Sequence, residues 1–237
     1  LREFEKGKFL AYRLGDRTGK ISAVQWERAE ETYQRIAEGD LAMVEGWVGT
    51  YQQEMQIKIQ SIRKIEDVTR IDPADFLPIS PTSVENLTQE FDSILDAIVD
   101  PDYKRLLLLF RQDESLWSRF SLAPGAKRWH HPYLHGLLDH TLSVVKICRG
   151  IAPLYPEIDL DLLIAGAIFH DCGKMVEFVY QTYIDYSTEG RLIGHLIQGT
   201  LLVERLIDRI PDFPPEKRMV LLHIIVSHHG EVERSPV

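Results

Sequence analysis

Apolar and polar residues alternate along residues 8–14 and again along 20–26, where Ile21 and Ala23 fall on one face and Val24 and Trp26 on the other. A period of two is that of a half-buried strand. Asp16-Arg17-Thr18-Gly19 makes the turn between the two runs. Residues 27–38 then read as a short helix stopped by Gly39, and residues 41–48 and 55–65 as two more strands joined around 49–54. Strand, strand, helix, strand, strand is the order of a small OB-type β-barrel without its first strand. Residues 1–7 are too few and too polar to supply it.

The pattern changes after residue 66. Residues 67–82 contain Pro73, Pro78 and Pro81 and read as a linker. From 83 onward the period becomes helical. Leu87, Phe91, Ile94, Leu95 and Ile98 line one face of residues 83–99, and Asp100-Pro101 is a helix start, with a capping carboxylate and a proline in the first turn. Further helices are expected at 136–151, 159–170, 194–210 and 215–229, with 180–192 irregular or hairpin-like. The expected fold is therefore multi-domain α and β. A barrel occupies 1–66, a linker 67–82 and an all-α domain 83–237.

Composition narrows the class. An apolar fraction of 44% and a charged fraction of 27% are those of a soluble globular protein. No apolar run approaches the ~18 residues of a membrane helix, so no membrane partner is expected. Two cysteines, Cys148 and Cys172, make no disulfide framework and suggest a reducing, cytoplasmic setting. The absence of an initial Met suggests that the natural N-terminus lies upstream. A net charge of −9 argues against coating nucleic acid by bulk attraction, while leaving room for a strand held at a local, metal-neutralised site.

Histidine supplies the candidate chemistry. All nine lie between positions 130 and 229. His170-Asp171 ends the apolar run of 159–169 and is followed by Cys172-Gly173-Lys174. An imidazole and a carboxylate at the end of such a run are costly unless something pairs with them, and a divalent transition ion is the simplest partner. His140 lies among apolar neighbours, His195 opens the helix of 194–210, and His228-His229 closes the helix of 215–229 before Gly230. Four segments thus each deliver a ligand type at a helix end or apolar face. Gly173 is expected to cap its helix, and Gly199 to permit close backbone approach. His130, His135 and His223 read as ordinary histidines; His131 stands between that and a pocket-lining role.

The segments His135-Gly136-Leu137-Leu138-Asp139-His140, His170-Asp171-Cys172-Gly173-Lys174, Glu189-Gly190-Arg191-Leu192-Ile193-Gly194-His195 and Ser227-His228-His229-Gly230 resemble the HD superfamily of metal-dependent phosphohydrolases. More closely they resemble its YhaM-type 3′→5′ exoribonucleases, which place an OB domain before the HD domain. The turn at 14–19 and Gly46-Trp47-Val48-Gly49-Thr50-Tyr51 fit that first domain. Cys172 stands where an aliphatic residue is usual and is expected to be small, buried and without chemistry. HD sites usually finish with an Asp after the His228-His229 segment. Asp208 and Asp212 precede it, so the resemblance places that ligand beyond Val237 in a chain cut short at its C-terminus.

The resemblance implies hydrolysis of single-stranded RNA, and also of single-stranded DNA, from the 3′ end to nucleoside 5′-monophosphates. It implies one or two divalent ions, manganese first and iron, nickel, zinc or magnesium as alternatives. The expected metal set is His140, His170, Asp171, His195, His228 and His229, with Asp171 bridging. His229 is either a further ligand or a donor behind one. Asp171 and Lys174 are the expected catalytic pair, Lys174 reaching a phosphate oxygen. Arg128, His131 and Arg191 are candidates for substrate phosphate, an ordinary surface role being as good a reading. On the barrel, Tyr12, Arg17 and Tyr51 are the expected strand contacts, beside Arg13 and Lys58, whereas Trp26 and Trp47 are expected in the core. A homo-oligomer is left open. Two other readings stand beside this one: an HD hydrolase of small nucleotides, against which the barrel argues, and a nucleic-acid-binding protein with an inactive HD domain.

Overall fold

The computed structural model describes residues 1–4, 7–68 and 71–230. The chain divides into two compact units between Leu77 and Pro78, Gln181–Tyr183 grouping with the first.

The first unit contains β1 (Arg2–Phe4), β2 (Gly7–Asp16), β3 (Gly19–Gln25), α1 (Ala29–Arg35), β4 (Ala42–Tyr51) and β5 (Glu54–Lys64). The sheet runs β1-β2-β3-β5-β4, with β3 and β5 parallel and the other neighbours antiparallel. This is the OB order. Among the described residues the sheet stays open, with β1 and β4 as its edges. Residues 2–4 supply the strand that the sequence pattern omitted, pairing Arg2 with Phe9 and Phe4 with Gly7. All three are exposed, and no apolar alternation advertised them; besides the backbone pairing, the Phe4 ring meets that of Trp26 edge-on at 5.0 Å. Between β4 and β5, Gln52 and Gln53 take φ of 51° and 69°, as a two-residue hairpin turn of primed type requires. The register shifts at Glu45/Gly46, where a Cβ on Gly46 would stand 2.3 Å from the Lys58 carbonyl oxygen. Glycine there lets the bulged strand cross its neighbour.

The second unit contains α2 (Val84–Asp96), α3 (Pro101–Gln112), α4 (Glu114–Leu122), α5 (Gly136–Ile151), α6 (Leu160–Phe169), α7 (Lys174–Glu177), β6 (Phe178–Tyr180), β7 (Ile184–Tyr186), α8 (Thr188–Leu192), α9 (Gly194–Ile207) and α10 (Pro215–Ser227). Asp100 caps α3 as expected, accepting from the N–H groups of Asp102 and Tyr103 at 2.9 and 3.2 Å. The region 180–192 is a short hairpin followed by α8. Helix α4 was not evident in the sequence, because Asp113 both ends α3 and caps α4 without an intervening loop. The end of the expected linker is also not free. Leu134 N donates to Pro78 O at 2.9 Å and Ser80 N to Leu134 O at 3.0 Å, which fixes 78–80 to the helical unit.

The core of the second unit is one continuous cluster. Phe110 packs edge-on to Phe120 and Phe169, at 5.1 and 5.4 Å between ring centroids. Six successive α6 residues, Ile164 to Phe169, are buried. An all-round apolar helix belongs at the centre of its unit, and the residues that follow it are carried into the interior. No helix among the described residues is long and apolar enough to cross a membrane.

Candidate metal centre

The C-terminal end of α6 delivers His170 and Asp171, α5 delivers His140, the first turn of α9 delivers His195, and the end of α10 delivers His228 and His229. Asp171 is 3% exposed and stands between two groups of imidazoles. Its Oδ2 lies 3.3 Å from His140 Nε2 and 3.1 Å from His170 Nε2. Its Oδ1 lies 3.5 Å from His195 Nε2 and 3.6 Å from His228 Nε2. His229 joins the second group, its Nε2 3.0 Å from His195 Nε2. Two ligand atoms each about 2.1 Å from one ion stand about 3.0–3.4 Å apart at octahedral or tetrahedral angles. The two groups have close to that spacing and share one carboxylate.

The imidazoles are oriented from behind. His170 Nδ1 lies 2.7 Å from Ala167 O, and His228 Nδ1 2.8 Å from Ile225 O. A carbonyl only accepts, so in both rings Nδ1 carries the proton and Nε2 presents its lone pair toward Asp171. Glu177 does the same for His195, its Oε1 2.9 Å from Nδ1 and 3.1 Å from the backbone nitrogen. These lone pairs and the buried Asp171 Oδ1, which has no hydrogen-bond partner, are together what a cation satisfies. The residues fit a divalent metal pair. Burial alone would raise the Asp171 carboxyl, but His140, His170 and His228 beside it hold it well below the usual carboxylate range. Burial also lowers His229, with His228 and His195 adding to the shift, which favours its neutral form.

Several expectations change. Lys174 is buried, and its ammonium donates to Asp171 Oδ2 at 2.7 Å and Gly125 O at 3.0 Å. It stands behind the carboxylate with two donors committed. Gly173 has φ −62° and is no left-handed cap. Its missing Cβ would lie 2.1 Å from His195 O and 2.7 Å from Gly199 N, so glycine is there to seat α9 against the Asp171 turn. Gly199 meets Cys172 and Gly173 from the other side, as expected. Cys172 is fully buried, and burial pushes its thiol far up and out of reactivity. Arg128 is exposed, His131 is half-buried with Nδ1 unpartnered, and Arg191 pairs with Asp185 at 3.1 Å. His130, read as an ordinary histidine, has its ring 5.1 Å from that of His140. The further Asp expected after His229 lies outside the described residues.

Glu177 was not foreseen. Its signal was the spacing Asp171, Lys174, Glu177, three residues apart, which returns each side chain to one face of a helical turn. On the first unit, Trp26 and Trp47 are 50% and 63% exposed, which corrects their placement in the core. Trp26 stacks on Phe9 at 4.7 Å on the sheet's outside. A strand alternates two faces, and the sequence did not say which one the open sheet buries. Tyr51 is 60% exposed, and Arg17 is also exposed. Tyr12 is half-buried and donates its hydroxyl to Gln25 Oε1 at 2.7 Å; burial pushes its phenol up to about 12.

Comparison with known proteins agrees with both units. Residues 2–65 match the family described as an OB-fold nucleic acid binding domain, and residues 137–236 match the HD domain. A protein of Geobacillus sp. (strain WCH70) named 3′-5′ exoribonuclease YhaM is 30% identical over 95% of this chain and 68% of its own length. Proteins of the same name from Listeria monocytogenes serotype 4b (strain CLIP80459) and Listeria welshimeri are each 29% identical over 95% of this chain and 71% of theirs. No solved structure gives a significant match. With both domains matched and the identity spread along nearly the whole chain, the protein belongs to the YhaM family of exoribonucleases.

Proposed function

We propose that this protein is a metal-dependent 3′→5′ exonuclease that shortens single-stranded RNA, and also single-stranded DNA, to nucleoside 5′-monophosphates. The observation that carries the reading is Asp171, whose two oxygens each face a separate group of imidazoles. His140 and His170 with Asp171 form one ligand set, and His195, His228 and His229 with Asp171 the other. Manganese suits these nitrogen and carboxylate donors. When bound, such ions make water acidic enough to supply hydroxide near neutral pH and offset charge on the phosphoryl group.

The chain's own residues set the geometry. Glu177, Ala167 O and Ile225 O fix the imidazole tautomers. Lys174 balances charge on Asp171 and ties it to Gly125. Arg128, His131 and Arg191 are the candidates for contacts to the substrate phosphate. Hydrolysis breaks the bond from phosphorus to the 3′ oxygen of the penultimate nucleotide. Water supplies hydroxide to phosphorus and a proton to that oxygen. The OB-type unit, residues 1–66 as read from the sequence, holds the strand, with Trp47 and Tyr51 as exposed stacking faces. A cytoplasmic location accords with the two free cysteines.

The test is a strand labelled at its 3′ nucleotide, incubated with the full-length protein and manganese. Early release of labelled mononucleotide, with gradual shortening of a 5′-labelled copy, is expected. Cleavage confined to free nucleotides would transfer the reading to a small-nucleotide hydrolase. Binding without cleavage would leave a nucleic-acid-binding protein.

A further inference from the structure

Trp129 is 90% exposed and has no ring neighbour among the described residues, unlike Trp117, which packs against Phe91 and Phe120. It lies one residue from His130, about 3.8 Å along the backbone, and the His130 ring is 5.1 Å from that of His140. We propose that Trp129 is the stacking surface for the base of the 3′-terminal nucleotide, the one released on cleavage. The inference rests on the nuclease reading, since it supposes that the phosphate of that nucleotide lies at the Asp171 cluster.

The loop bearing Trp129 is built to hold a position. Gly125 N donates to His131 O at 3.0 Å, closing the base of the 126–130 excursion. A Cβ on Gly125 would lie 2.9 Å from both His131 Cβ and Gly136 O, so the closure needs glycine there. Gly125 O in turn accepts from Lys174, whose other acceptor is Asp171. The platform and the metal carboxylate thus share one lysine. Lys127, on the loop, is fixed to Asp185 at 2.5 Å. His131 takes φ 57°, the left-handed region that non-glycine residues enter at a cost, and its buried Nδ1 has no partner. Strain held by surrounding contacts next to a reactive cluster is a mark of function.

The chemistry of an exposed indole one residue from His130, whose ring neighbours that of His140, suits a nucleobase. Every base has a π-face, so stacking tolerates sequence, as an exonuclease that must accept each successive terminus requires. A base is one sugar away from its own 5′-phosphate. Trp129 is correspondingly one residue away from a histidine in contact with the ligand set. Arg128, also exposed, adds a cation next to the same base.

The experiment titrates the full-length, manganese-loaded protein with adenosine 5′-monophosphate and with ribose 5-phosphate, which carries the same phosphate without the base. Wild type should bind the mononucleotide about ten-fold more tightly. Trp129→Ala should erase that preference while leaving ribose 5-phosphate affinity unchanged, and Trp129→Phe should restore most of it. On an oligonucleotide, Trp129→Ala should raise KM with little change in kcat. Wild type without the preference, or Trp129→Ala retaining it, overturns the proposal. Failure of wild type to cleave any strand would instead overturn the nuclease reading, and the two ligands would still report on stacking.

Discussion

One oxygen of Glu177, itself 3% exposed, holds both the Nδ1 and the backbone N–H of His195, at 2.9 and 3.1 Å. The carboxylate therefore fixes the ring's tautomer, its rotation and the first turn of α9 together. Glu177→Gln should weaken manganese binding about 10–100-fold, the usual cost of losing such an outer partner. Equilibrium dialysis against manganese measures it. Unchanged affinity would show that His195 does not depend on Glu177, or does not bind metal.

Asp171→Asn is the sharper test of the shared carboxylate. Alanine there would strand the buried Lys174 ammonium, and a buried charge without its partner costs about 3–5 kcal/mol. Asparagine keeps the volume and one acceptor. Metal content and kcat should both fall by more than the roughly 10–100-fold cost of outer-shell changes, with the helical circular dichroism retained. A variant that still binds two ions per chain would remove Asp171 as the bridge.

Stability has its own pH signature at the start of α10. Lys217 bonds the Asp100 and Asp102 carboxylates together, the latter at 2.8 Å. Burial would lower the Lys217 pKa, but the two carboxylates hold it well above the usual lysine value. Burial would raise Asp100, yet the bonds from Lys217 and the α3 N–H groups keep it lowered, and Lys217 lowers Asp102. Depressed carboxylates contribute stability above about pH 4 that is lost as pH falls through their folded values; a raised ammonium contributes below about pH 10 and is lost as pH rises through its own. Lys217→Met should therefore cost about 1–2 kcal/mol near pH 7. The gap from wild type should close at strongly acidic pH. A gap independent of pH in thermal melts would assign the loss to packing.

Trp47 and Tyr51 test the first unit. Removing both with alanine should weaken binding of a long single strand by about 1–3 kcal/mol per base engaged. Hydrolysis of a dinucleotide should be spared. Fluorescence titration with a long oligonucleotide, beside kcat/KM on both substrates, separates the effects. Equal losses on the two substrates would assign the pair a structural role.

The order of elements was legible in the sequence because period two and period 3.6 are local properties. The cap at Asp100, the central apolar α6 and the histidines at helix ends all follow from short-range patterns and the cost of burying charge. Tertiary structure decided what depends on distant backbone. β1 is held by its pairing with β2 and by the contact of Phe4 with Trp26, and α4 is hidden behind a shared Asp113. The exposure of Trp26 and Trp47 follows from which face the open sheet covers. The same holds within the site. The sequence nominated Asp171, but its division between two imidazole groups arises only when α5, α6, α9 and α10 meet. Gly173 looked like a helix stop from its place after His170-Asp171. It proved to be a contact, because the His195 carbonyl, 22 residues later, occupies the space of its missing side chain. A pattern read along the chain gives a residue's type and phase. Its partner is fixed by packing, which no local spacing encodes.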